Sequence, residues 1–75
     1  MALLTKHSLT TIKDLFGRHP NLHPHLTALQ EGKETALDID IILEELEYYV
    51  AKKRDFLDPL TLTELQDAIQ RLRNN

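Results

Sequence analysis

The chain contains no cysteine, only two glycines, one serine and three prolines, and its aromatic content is 5%. Without cysteine neither a disulfide nor a thiolate metal site can brace the fold, so stability must come from packed helices or from another chain. With so little glycine a phosphate cradle has nothing to be built from, and neither G-x-x-x-x-G-K-[ST] nor G-x-G-x-x-G occurs. H-E-x-x-H and E-x-x-H are absent too, which removes the zinc-protease helix and the di-iron carboxylate bundle. Ser8 is the single serine, and nothing around it marks a nucleophile rather than a helix cap. Catalysis is therefore not expected, nor is a cofactor or a small-molecule substrate.

No apolar run approaches the roughly 18 residues of a membrane-spanning helix, so no membrane association is expected. The opening MALLTKHSLT has one lysine, a very short apolar stretch and no small-residue cleavage site, so it does not read as a signal peptide. Met1 reads as a native start, and the cytosol is the expected compartment. At 75 residues the chain is read as one domain, 1–75. A chain of this length buries only about 60% of the surface exposed on unfolding. Net charge is −3, an unfavourable balance for a protein that must coat phosphates.

What the chain does have is helical period. Ala36 to Leu57 carries Ile39, Ile42, Leu43, Leu46, Tyr49, Val50 and Leu57 on one side when residues are spaced by about 100°. Leu37, Ile41 and Tyr48 form a thinner stripe opposite. Acids (Asp38, Asp40, Glu44, Glu45, Glu47) fill the first half and Lys52, Lys53 and Arg54 the end, the order a helix dipole favours. Thr35-Ala36-Leu37-Asp38 matches the capping box, and Thr61-Leu62-Thr63-Glu64 reads as a second.

The other elements are shorter. Leu3 and Leu4 are available to pack. Ser8 is read as the cap of a helix over about 9–16, with Leu9, Ile12, Leu15 and Phe16 on its apolar face and a left-handed Gly17 ending it. RHPNLHPH, Arg18 to His25, is a turn followed by a new helix with Asn21 or His23 as cap, Pro24 in its first turn and Leu22, Leu26 and Leu29 buried. Gly32 stops that helix. Asp58-Pro59 turns the chain into a last helix over about 62–73, with Leu62, Leu65, Ala68, Ile69 and Leu72 on its stripe and fraying at Asn74 and Asn75.

The expected fold is all-α, a three- to four-helix bundle built on an antiparallel hairpin of the long helix (about 36–57) and the C-terminal helix (about 62–73). The opposite-face stripe is the candidate contact surface. If the remaining helices cannot cover it, Leu37, Ile41 and Tyr48 are left for a second copy or another protein. The function expected is that of a small non-catalytic accessory or regulatory protein, a homodimer working through a helical surface.

Three alternatives stand beside it. A DNA-binding transcriptional regulator would need a basic recognition element, whereas only Arg71 and Arg73 are cationic among 61–75. Antiparallel return of the last helix would bring those two toward Glu44, Glu45 or Glu47. A metal-binding protein would use His19, His23 and His25 around the turn, yet no carboxylate lies among them. A structural subunit of a larger assembly has no separate signature. The four histidines also raise the expectation of a response to mild acid, since protonating all of them moves the formal charge from −3 to +1.

Overall fold

The computed structural model describes residues 4–17 and 19–74. The readings made for Met1, Leu3, Arg18 and Asn75 lie outside those residues. Among the described residues four helices follow one another: α1 (Lys6–Leu15), α2 (His23–Glu31), α3 (Ala36–Lys53) and α4 (Pro59–Arg73), with a 3₁₀ turn, Arg54–Phe56, between the last two. The α3–α4 hairpin is present as expected. Each helix packs on the next in the chain, and α4 also packs on α1, which closes the four into a ring.

The ring encloses one core. Leu4, Leu9, Ile12 and Phe16 come from the first segment, Leu22, Leu26 and Leu29 from the second, Ile39, Ile42 and Leu46 from α3, and Leu65, Ala68 and Leu72 from α4. Leu15, Ile41, Leu43, Tyr49, Val50, Leu57 and Ile69 pack partly buried against it. The radius of gyration is 11.3 Å, and a compact chain of this length is expected at about 11 Å. Four short helices thus close a core without borrowing from a second chain.

Where the helices begin and end follows local chemistry, with several departures from the sequence reading. Thr5, not Ser8, caps α1: the Ser8 amide donates to Thr5 Oγ1 at 3.1 Å, and Ser8 itself is buried one turn inside the helix. The cap therefore sits three residues earlier than expected. Gly17 is not left-handed. Phe16 ends α1, and the His19 amide donates to the Phe16 carbonyl, so the turn before Pro20 stops the helix. Neither Asn21 nor His23 caps α2. Leu22 occupies that position, and its apolar side chain offers no cap bond; the Leu22 and His23 amides donate to the His19 and Pro20 carbonyls of the preceding turn. Gly32 does end α2 in the left-handed region, at φ 74°, as expected.

Thr35 forms the full capping box: the Asp38 amide donates to Thr35 Oγ1, and the Thr35 amide donates back to Asp38 Oδ2 at 2.8 Å. The long helix ends at Lys53 instead of reaching Leu57. Its last turn tightens into the 3₁₀ turn because the chain must be extended at Asp58, ahead of Pro59. The second capping box is replaced. Asp58 caps α4, accepting from the Thr61 amide at 3.0 Å and from Thr61 Oγ1 at 2.7 Å, while Pro59 takes the first helical position with its φ already set. The helix thereby starts one turn early, and Glu64 is released for contacts with α1.

Candidate functional site

The outward side of α3 is the candidate contact surface. The inward side of that helix is fully used: Ile42 and Leu46 are buried and Ile39 nearly so. On the opposite side Leu37 is 65% exposed and Tyr48 61% exposed. Ile41 stands apart from them, half-buried and packed partly against the core. So the three stripe residues remain on one face, but only two offer their side chains to solvent.

Lys52 and Tyr48 are coupled on that face. They are four residues apart and so share it, with the Lys52 ammonium 5.4 Å from the Tyr48 ring centroid and its Nζ donating to the Tyr48 hydroxyl at 3.3 Å. Next to them the α1–α2 turn meets α3. Phe16 packs edge-on against Tyr49 with ring centroids 5.1 Å apart, and His19 packs edge-on against Phe16 at 5.6 Å. Tyr48 and Lys52 form one rim of the shallow cleft above these rings, about 230 Å³ in volume. That is below the roughly 300 Å³ at which small-molecule sites usually begin.

A second exposed apolar feature was not singled out in the sequence. Phe56, in the 3₁₀ turn, is 85% exposed, and Leu60, in the first turn of α4, is 83% exposed. They are the tip of the hairpin. Leu57 still packs partly against the core although α3 ends before it, while Phe56 beside it faces outward. Leu60 borders a wider recess of about 530 Å³ between the starts of α1 and α4.

The histidines do not converge. His25 Nδ1 lies 2.6 Å from Asp38 Oδ1, joining α2 to the first turn of α3, and His7 Nε2 lies 3.1 Å from Glu64 Oε1, joining α1 to α4. His19 is on the aromatic cluster, and His23 lines a separate groove with Lys13, Gly17 and Leu26. Among the described residues no three His, Cys, Asp or Glu side chains are grouped so as to hold a metal ion. Glu64 also accepts from Thr11 Oγ1 at 3.2 Å, while the Ser8 hydroxyl accepts from Thr5 Oγ1 at 3.0 Å.

The cations divide in the same way. Arg73 pairs with Glu47 on α3 at 3.0 Å, one of the pairings expected. Arg71 instead pairs with Asp67 within α4 at 2.9 Å, one helical turn away. Lys52, Lys53 and Arg54 stay at the end of α3. No helix among the described residues is long and apolar enough to cross a membrane.

Comparison with family models, with curated proteins and with solved structures finds no match to this chain.

Two carboxylates are held ionised by the helix starts. The bond with His25, and then the Thr35 amide, keep Asp38 below its ordinary value of 3.8. The Thr61 hydroxyl, and then the Thr61 amide, do the same for Asp58. Since both folded-state values lie below the unfolded one, their stabilisation is present above about pH 4 and is lost as the pH falls through the folded values. The wild type is expected to unfold at lower urea concentration as the pH falls below about 4. An Asp38→Asn/Asp58→Asn variant should show a shallower fall over the same range, and equal slopes would refute the assignment.

Proposed function

We propose that the chain is a small non-catalytic accessory or regulatory protein of the cytosol, acting through protein–protein contacts on the outward face of α3. The observation carrying this reading is the exposure of Leu37 and Tyr48 on a helix whose other side already completes the core. Two large side chains left in water along one strip of an ordered helix, one of them a tyrosine, give a partner somewhere to pack. Tyr48 loses little freedom on being covered, since Lys52 already restrains it. The shallow relief of the surface suits another protein better than a small molecule.

A photo-crosslinking residue at 37 or 48 tests this in cells making the full chain. Adducts are expected from both positions and none from Gln66, exposed on α4. Leu37→Glu and Tyr48→Glu should change folding stability by no more than about 0.5 kcal/mol, as surface substitutions do. Each should suppress the adduct formed from the other position. Adducts that are absent, or as strong from position 66, would refute the reading.

A further inference from the structure

We infer that the partner on this face is a second copy of the chain, packed antiparallel about a two-fold axis that passes through Tyr48. This rests on the reading of the α3 face as a contact surface and adds to it an occupant and a register.

The order of charge along α3 is the first support. Asp38, Asp40, Glu44, Glu45 and Glu47 precede Lys52 and Lys53, and Arg54 follows directly. Of these charges Glu44 and Lys52 lie on the outward strip, and two copies bring that acid and that cation together only when one is reversed. Parallel pairing would lay acid on acid.

Spacing on the outward face is the second support. Leu37, Ile41, Glu44, Tyr48 and Lys52 lie along one strip of the helical wheel. Glu44 and Lys52 are each four residues from Tyr48, about 6 Å along the axis in opposite directions. A two-fold rotation at Tyr48 therefore sets Glu44 of each copy against Lys52 of the other, with the two tyrosines between the pairs. An isologous contact makes every such pair twice. The two copies of Glu44 fall about 12 Å apart along the axis, beyond the screening length of about 8 Å in physiological salt.

The exposed side chains fit the same operation. Lys52 is already held over Tyr48, so its ammonium stands where the second copy's Glu44 arrives. Ile41 precedes Tyr48 by about as many residues as the hairpin tip follows it. The tip, with Phe56 at 85% exposure, comes level with Ile41, and Leu37 lies just beyond. Glu47 stays at the edge, already paired with Arg73. Asp55 is left without a cation opposite it. One helix per copy is a modest footprint, so a reversible dimer is expected rather than an obligate one.

Sedimentation of the purified full chain, from low micromolar to near-millimolar concentration, should show the mass rising from 8.7 kDa toward twice that value. Glu44→Lys and Lys52→Glu should each weaken self-association at least about tenfold, since each places like charges opposite one another. Mixing the two variants should restore it, because the heterodimer recovers both opposite-charge pairs, and the double variant should dimerise alone. A chain that stays monomeric at every concentration overturns the second copy and leaves the α3 face to its crosslinks. A dimer abolished by Tyr48→Glu but indifferent to the charge exchange overturns the register alone. A dimer that survives Tyr48→Glu uses another surface and overturns both readings.

Discussion

Leu46→Ala is expected to cost about 2–5 kcal/mol of folding stability, the usual range for emptying a fully buried leucine site. Leu46 is 0% exposed, at the middle of the helix from which the core is built. A 75-residue domain at about 0.05–0.15 kcal/mol per residue has only some 4–11 kcal/mol to lose. The variant should therefore unfold at a much lower urea concentration and be partly unfolded at 37 °C. Tyr48→Ala, two residues on and facing the other way, should move the midpoint very little. This pair of measurements separates the two sides of α3. Equal losses would mean that Tyr48 belongs to the core.

Phe16→Ala is expected to cost about 3–5 kcal/mol, and by a different route. Phe16 ends α1, is buried, and is pinned between Tyr49 of α3 and His19 of the following turn. Removing it takes away both the apolar volume and the edge-on aromatic pairs that hold the α1–α2 turn against the hairpin. The loss should be uneven. Amides of α1 should exchange with solvent faster than those of α3 and α4, and the tyrosine signal in near-ultraviolet circular dichroism should fall. Uniform exchange across all four helices would show that α1 does not hold its place through Phe16.

Helix existence and inward faces were legible because they rest on periodicity, which survives any detail of packing. Ile39, Ile42, Leu46, Leu65, Ala68 and Leu72 are buried as their spacing requires. Helix starts were less legible wherever two residues three apart could each cap. Thr35 had no rival and caps as expected; Ser8 competed with Thr5, and Thr61 with Asp58, and in both cases the earlier residue prevails. The second of these choices also decides the use of Glu64, which a capping box would have turned onto its own backbone. Pairing across helices was hardest to read, since His25 with Asp38 and Thr11 with Glu64 depend on how the ring closes.

The candidate surface was legible in part. Opposition of the two stripes follows from the wheel, and Leu37 and Tyr48 are exposed on the outward side. Ile41 is not free, because its position at the edge of the stripe lets it pack partly against the core. Phe56 and Leu60 belong to neither stripe, because the sequence reading carries the long helix through to Leu57 and starts the last one at about 62. The proline two residues after Leu57 was the available signal, since extension before Pro59 must begin upstream of it.

Closure of α1 onto α4 also orders the events of folding. The α3–α4 hairpin needs only a short connection to be formed, so it can assemble early from neighbouring residues. Thr11 and Glu64 are 53 positions apart in the chain, and bringing them together requires nearly the whole molecule to have collapsed. Docking of the first helix onto the last is therefore expected to come late. Substitutions there should quicken unfolding while leaving the refolding rate almost untouched.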